Sequence, residues 1–400
     1  MKRIIISTAL LFSSVVVAKP TTVLVSIDGF ANYYLQKYQV PFIKRLANLG
    51  VTADAMLPVY PSKTFPNHIS MVTGVYPSKH GIVHNKFYHP EIGKHYKLGA
   101  GKDDKRWLTA KPIWTYAEEQ NNRAYLYFWP ESESISHEVR ASHIEPYVHE
   151  RENGKRVSKV LDWICAEKKL RPDFVSLYFS TVDSAGHEYG QDSKQLIFAL
   201  DDVNEQLERL VGESEKCNPD GVNFVIVSDH GMTKAGAENA IYPEDIIDTE
   251  SVQVVNGQTQ LFIYEKDDRK LNDVRSQLMA FKSSLSKTTF RIYHRNEYPK
   301  HWRLNVDSVL VPDLIVDAVA PYTFAKKGKK VSVETHGFDA KYNEDLHAIF
   351  IGYGPAFKAG ESIGAFENVH VASLIAHLMG IKLPNDLDSK LEVFKPILKN

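Results

Sequence analysis

Short runs of apolar, β-branched and aromatic residues alternate along the chain with segments whose apolar positions recur every three or four residues. That alternation is the pattern of an α/β fold. Strands are predicted over Thr22–Ile27, Phe174–Ser180, Asn223–Ser228 and His347–Ile351. A helix is predicted over Ser193–Val211, because Leu196, Leu200, Val203, Leu207 and Leu210 fall on one face and the charged residues on the other. Over about residues 85–150 the pattern loosens into a stretch dense in Tyr, His, Lys and Trp, which reads as a loop-rich insertion over the sheet. No repeat, low-complexity linker or compositional break divides the rest, so residues 19–400 are expected to form a single catalytic-sized domain.

The first eighteen residues stand apart. Lys2 and Arg3 precede an apolar stretch from Ile4 to Val17 that closes with Val16-Val17-Ala18 ahead of Lys19-Pro20, the arrangement of a secretory signal peptide cleaved after Ala18. The stretch is short for a bilayer span and is interrupted by Ser7, Thr8, Ser13 and Ser14. No later segment is long and apolar enough to cross a membrane. The chain is therefore expected to be exported, to the periplasm or the medium.

Composition narrows the function class. With 43% hydrophobic and 24% charged side chains in 400 residues, the chain is neither disordered nor fibrous. Its formal net charge of −1 becomes −3 once Lys2 and Arg3 leave with the signal. Its Lys and Arg residues read as scattered, so there is no electrostatic footprint for duplex nucleic acid and no stable nucleic-acid partner is expected. Positive charge for handling phosphates must then be local or come from metal ions. The two cysteines, Cys165 and Cys217, lie in no metal-type CxxC; in an exported chain they pair as one disulfide or stay as two thiols.

Candidate chemistry gathers where the predicted strands end. Asp28, Asp183 and Asp229-His230-Gly231 each follow a strand, and α/β proteins build sites beyond strand C-termini. Any one of these aspartates alone is an ordinary turn or helix-cap residue. Histidines change that reading. Asp183 and His187 are four apart, so one helical turn points both at a single ion. His230 adjoins Asp229 where Gly231 permits a turn, and His336 lies in a Gly-flanked loop. Carboxylate oxygen with imidazole nitrogen suits Zn²⁺ or a similar first-row ion. In Pro61-Ser62-Lys63-Thr64-Phe65-Pro66-Asn67-His68, Pro66 fits the first turn of a helix. That places Thr64 at the helix N-terminus, where it is either a plain N-cap or a nucleophile beside a phosphoryl group. Thirteen of the sixteen histidines receive no role.

These residues resemble a known family. Lys63-Thr64-Phe65-Pro66-Asn67, Thr73-Gly74-Val75-Tyr76-Pro77 and His80-Gly81-Ile82-Val83-His84-Asn85 resemble the nucleophile region of the nucleotide pyrophosphatase/phosphodiesterases, members of the alkaline phosphatase superfamily. Ser26-Ile27-Asp28-Gly29-Phe30, Asp183 with His187, Ser228-Asp229-His230-Gly231-Met232 and Thr335-His336-Gly337 match its metal motifs in the same order. The resemblance spans about residues 21–380 and implies an alkaline phosphatase-like, mostly parallel central sheet with helices on both faces and an inserted loop-rich cap. It implies two Zn²⁺ ions, one on Asp183, His187 and His336, the other on Asp28, Asp229, His230 and the Thr64 oxygen. Thr64 is then the nucleophile that forms a phospho-threonine, and Asn85 helps hold the transferring phosphoryl oxygen. Phe65, Tyr147 and Tyr178 fall where the family holds a nucleobase, with Leu98 flanking. The implied activity is hydrolysis of nucleotide 5′-phosphodiester or pyrophosphate bonds, releasing nucleoside 5′-monophosphates. Choline-phosphate or lysophospholipid diesters are an alternative substrate class on the same core, and a non-catalytic zinc- or phosphate-binding protein a lower one. Neither cysteine supplies the C/S-x-P-x-R pattern of the related sulfatases. Oligomeric state is open.

Overall fold

The computed structural model describes residues 19–399; the signal peptide expected over residues 1–18 lies outside them. Eight strands form the main sheet, in the order Glu361–Ile363, Val51–Ala53, Phe350–Tyr353, Val222–Val227, Thr21–Ile27, Phe174–Phe179, Ala124–Tyr127 and His143–Glu145. Only Phe350–Tyr353 runs antiparallel to its neighbours. The central strand Thr21–Ile27 is buried along its whole length, because both faces of the sheet are covered. Alternation sorts its side chains between two cores. Val23, Val25 and Ile27 join the helices Pro41–Leu49, Asn153–Ile164 and Lys194–Cys217. Leu24 faces Ile113, Trp114 and the helix Val371–Met379 on the other side.

The predicted helix begins where expected and runs farther, over Lys194–Cys217, with Ser193 as N-cap accepting from the Leu196 N–H at 3.1 Å. The last predicted strand is displaced. Ala348 makes only isolated bridges to Ala31 and Met56, and regular pairing starts at Phe350.

The stretch 85–150 is not an insertion throughout. Ala124–Tyr127 and His143–Glu145 complete one edge of the main sheet, and Ile113–Glu119 is a helix packed on it. Strands of four and three residues are too short for alternation to be legible. A second sheet of four antiparallel strands, Gln253–Asn256, Gln260–Tyr264, Leu314–Ala318 and Phe290–His294, was not expected. One face packs on the helix Asp268–Ser283 through Leu271, Val274 and Leu278. The other face meets Ile69, Ile82 and Trp302 and so braces the helix Thr64–Thr73 from the side. Of the two states left open for Cys165 and Cys217, the structure has the disulfide, which ties the ends of the helices Asn153–Ile164 and Lys194–Cys217.

Candidate active site

Three parallel strands end side by side and deliver the acids. Asp28 follows Thr21–Ile27, Asp229 lies two residues beyond Val222–Val227, and Asp183 sits in the first turn of Thr181–Tyr189, the helix after Phe174–Phe179. Gly29 makes the approach possible: its φ is +72°, and a Cβ there would stand 2.9 Å from the Asp183 Cα. Gly231 has the same necessity for a different reason, since a Cβ would meet the Asp345 carbonyl oxygen at 2.0 Å. The helix Thr64–Thr73 brings Thr64 to this edge with Lys63 in extended conformation before it. The Thr64 hydroxyl lies 3.4 Å from His230 Nε2.

The seven sequence-predicted metal ligands converge. His230 Nε2 is 2.9 Å from Asp229 Oδ2 and 3.5 Å from Asp28 Oδ1. His187 Nε2 and His336 Nε2 are 3.4 and 3.7 Å from Asp183 Oδ1. Two compact donor sets result, Asp28 with Asp229 and His230, and Asp183 with His230 and His336. His230 thus stands between the two sets, stacked on His336 at 3.5 Å, and His187 sits on the outer rim. The donors suit a metal on two grounds. Asp28 Oδ1, Asp183 Oδ1 and Asp229 Oδ2 are buried without a hydrogen-bond partner, a costly state for carboxylates unless a cation receives them. Each histidine also has its Nδ1 against a backbone carbonyl, of Glu334 for His187, Gly231 for His230 and Ser62 for His336. Nδ1 then carries the proton and Nε2 is left as the free ligand atom.

Electrostatics tell the same story. Burial, together with the charges of Asp229 and Asp183, pushes the Asp28 carboxyl well above its ordinary range. Burial also works against Asp229, but His230 and His68 beside it and the Gly29 N–H hold that carboxyl below its usual value. Burial and the neighbouring His230, Lys63 and His187 keep His336 neutral, its pKa far below the imidazole range. A pocket that gathers carboxylate oxygens and imidazole nitrogens is a receptor for divalent cations.

His68 is a functional neighbour the sequence reading left without a role. Its Nδ1 lies 2.8 Å from the Thr64 carbonyl and 3.4 Å from Asp229 Oδ2, and its Nε2 2.8 Å from the Ser26 hydroxyl. It sits four residues after Thr64, on the same helix face, and that spacing was the available signal. Asn85 accepts the Phe65 N–H through Oδ1 at 2.8 Å, which leaves its amide N–H₂ free to donate.

Beside the acids, Leu98, Phe128 and Tyr147 line a cavity of about 160 Å³. Phe128 and Tyr147 pack with ring centres 4.3 Å apart. Phe128 has φ of +56°, unusual for an aromatic residue, and nothing in the local sequence marked it. Phe65 lies edge-on to Tyr96, at 6.1 Å. Tyr178 is a correction to the expected base-binding set. It is 6% exposed and donates its hydroxyl to Asp28 Oδ2 at 2.5 Å, so it supports a carboxylate instead of presenting a face to a base. A strand residue just below the cleft points into the site, which the motif alone does not reveal.

A family model described as "Type I phosphodiesterase / nucleotide pyrophosphatase" matches residues 22–339. The ectonucleotide pyrophosphatase/phosphodiesterase family member 1 of Rattus norvegicus is 33% identical over 92% of this chain and 42% of its own length. A venom phosphodiesterase of Naja atra is 31% identical over 91% of this chain and 45% of its own. The chain thus spans less than half the length of these curated relatives. Among solved structures, an inactive threonine-to-alanine variant of murine ectonucleotide pyrophosphatase/phosphodiesterase 5 in complex with AMP matches with a TM-score of 0.86 at 25% identity, over 95% of this chain and 100% of that one. The human form of the same protein matches with a TM-score of 0.86 at 27% identity, with the same coverage.

Proposed function

Since the chain belongs to the type I phosphodiesterase/nucleotide pyrophosphatase family, we propose that it is a zinc-dependent hydrolase of nucleotide 5′-phosphodiester and pyrophosphate bonds, releasing nucleoside 5′-monophosphates. The observation that carries this reading is the Thr64 hydroxyl at a helix N-terminus, 3.4 Å from His230 Nε2 and beside three unpartnered buried carboxylate oxygens. The proposed ligands are Asp183, His187 and His336 for one Zn²⁺ and Asp28, Asp229, His230 and Thr64 for the other. Bound zinc supplies Lewis acidity, which makes the hydroxyl a stronger nucleophile and offsets charge on the phosphoryl group.

The protein's own groups set the geometry. Thr64 Oγ1 attacks phosphorus in line, the bond to the leaving oxygen breaks, and water then hydrolyses the phospho-threonine and regenerates the hydroxyl. The free Asn85 amide donates to a non-bridging oxygen, assisted by the Thr64 N–H at the helix start. His68, bonded to the Thr64 carbonyl and against Asp229, keeps the nucleophile helix and that carboxylate in register. Phe65, Leu98 and Tyr147, with Phe128, receive the base. Export is proposed as well, supported by the Cys165–Cys217 bond and by relatives named as venom and ecto-enzymes.

Rates on a nucleotide 5′-phosphodiester, a phosphocholine diester and a phosphate monoester with one chromogenic leaving group test the assignment. The nucleotide diester is expected to be fastest. A faster phosphocholine diester moves the protein to the choline-phosphate or lysophospholipid reading, and a faster monoester refutes a diesterase. Chelation is expected to abolish turnover and zinc to restore it. Thr64→Ala is expected to retain the fold by circular dichroism and lose turnover; more than a few per cent of residual rate with metal bound rules out a phospho-threonine.

A further inference from the structure

The cavity that Leu98, Phe128 and Tyr147 share is built from two separate stretches of chain, residues 98–102 and 128–134, together with Tyr147. One carboxylate joins the two stretches. Glu131 is 3% exposed. It accepts the Tyr96 hydroxyl at 2.6 Å and the Gly99 N–H at 3.0 Å through Oε1, and the Gly101 N–H at 3.0 Å through Oε2. The lysine on the cavity wall, Lys102, pairs instead with Glu133 at 2.6 Å, so neutral donors hold the Glu131 carboxylate. The backbone bends to put it there. Glu131 has φ of +59° and Phe128 of +56°, and non-glycine residues stay in that region only where their surroundings hold them. Across from it Gly101 leaves room, since a Cβ there would stand 2.2 Å from Glu131 Oε2 and 2.6 Å from the Ser134 hydroxyl. Two site residues depend on this junction. Leu98, at 37% exposure, is too open for packing to fix it and takes its place from the backbone beside Gly99. Tyr96, buried at 3% exposure, is stacked on Phe87 at 5.0 Å and lies edge-on to Phe65 at 6.1 Å.

We propose that Glu131 is a positioning residue for the base of the substrate: by bonding Tyr96, Gly99 and Gly101 it keeps Leu98 and Phe65 in register with Phe128 and Tyr147. The inference rests on the phosphodiesterase reading of the Thr64 site. A carboxylate is the group that fits this junction, because both its oxygens accept. An amide in its place offers one oxygen and turns an N–H₂ toward a donor. A buried hydroxyl or N–H that loses its acceptor carries the full cost of desolvation, so the segment 96–101 shifts to regain partners and takes Leu98 and Tyr96 with it. Thr64, Asn85 and the acids stand on other elements and keep their places. Contacts to a base that are equal in the ground state and the transition state act on KM and leave kcat alone. The effect therefore belongs to substrates that carry a base.

The test compares the p-nitrophenyl ester of thymidine 5′-monophosphate with methyl p-nitrophenyl phosphate, which has the same leaving group and no base. In the zinc-supplemented protein, Glu131→Gln is expected to raise KM for the thymidine ester about fivefold or more with kcat within about twofold, and to leave kcat/KM for the methyl ester within about twofold. Gly101→Ala displaces the carboxylate without altering it and is expected to give the same split. Tyr96→Phe deletes one hydroxyl and keeps the ring, so it carries the test if the buried amide of Glu131→Gln unfolds the loop; a smaller rise in KM of the same kind is expected. Added to Glu131→Gln, Tyr96→Phe is expected to cause no further loss, since both act on one hydrogen bond. Independently of turnover, calorimetry on the Thr64→Ala protein is expected to show AMP binding weakened about fivefold or more by Glu131→Gln, with inorganic phosphate within about twofold. Equal losses on both esters, a loss confined to kcat, additive effects of Tyr96→Phe and Glu131→Gln, or unchanged kinetics in all the variants overturns the positioning role and leaves the phosphodiesterase reading standing. Wild-type protein that hydrolyses neither ester refutes that reading, and the role of Glu131 with it.

Discussion

Two tyrosines separated by 6.0 Å between ring centres do different work, and single substitutions tell them apart. Tyr147 is half-buried over the small cavity, so Tyr147→Ala is expected to lower kcat/KM for a nucleotide diester about tenfold, ~1.4 kcal/mol, while sparing a small non-nucleotide diester. Equal losses on the two make Tyr147 structural. Tyr178→Phe removes the hydroxyl on Asp28; metal affinity measured by chelator competition is expected to fall ~10–100-fold with base selectivity unchanged. Asp317 carries a pH effect that lies outside the metal centre. Burial pushes its carboxyl up to about 7 despite hydrogen bonds from Tyr60 and Gln260. A raised carboxyl pKa means that the folded state prefers the neutral acid. Its contribution is complete below the ordinary carboxylate pKa and lost as pH climbs through about 7. The stability of the wild type relative to Asp317→Asn is therefore expected to decline by up to ~1.4 kcal/mol per pH unit from about pH 4 to pH 7. A flat difference in urea melts over that interval refutes the buried neutral acid.

At the scale of elements, the site depends on helices holding loops in place. Arg156, in the helix Asn153–Ile164, is 1% exposed and has no carboxylate partner among the described residues. Its guanidinium donates to the carbonyls of Tyr178, Arg151, Val148 and His149 at 2.8, 3.0, 3.3 and 3.3 Å. It also lies 5.9 Å from the Tyr147 ring centre. One planar fork thus fixes the Tyr147 loop against the end of the strand Phe174–Phe179. Arg156→Met keeps the bulk and strands those carbonyls, so stability is expected to drop by ~2 kcal/mol or more. KM for the nucleotide is expected to rise with kcat little changed. A fall in kcat alone would place Arg156's influence on the metal centre instead.

Across the whole molecule, the alkaline phosphatase-like sheet separates function from anchoring. The acids and Thr64 occupy the C-terminal ends of the parallel strands, and the Cys165–Cys217 bond lies at their N-terminal ends, closing a separation of 52 residues. Replacing both cysteines with serine is expected to cost ~4 kcal/mol of stability in the chain-entropy model while preserving turnover below the melting transition. Loss of activity in a protein that is still folded contradicts that separation. No helix among the described residues is long and apolar enough to cross a membrane.

The sequence by itself determined the α/β class, the central strands, the long helix from Ser193, and the six acid and histidine positions that meet Thr64 at one edge of the sheet. These are legible because they rest on local rules: period-two burial, period-four faces, an i,i+4 Asp–His pair, and short motifs at strand ends. The second sheet was legible only in part; Asn256-Gly257 between two apolar runs is a hairpin signal, but the pairing with Leu314–Ala318 joins residues more than fifty apart. Only the tertiary structure decided that Tyr178 braces Asp28, that Phe128 backs Tyr147, that His68 holds the Thr64 helix and Arg156 the Tyr147 loop, and that Lys86, Lys326 and Lys329 line one cavity. Each of these is a contact between residues distant along the chain. Side-chain direction at a strand end, a left-handed residue in a loop and the sign of charge across a cleft are set by how elements pack, and no local pattern encodes them.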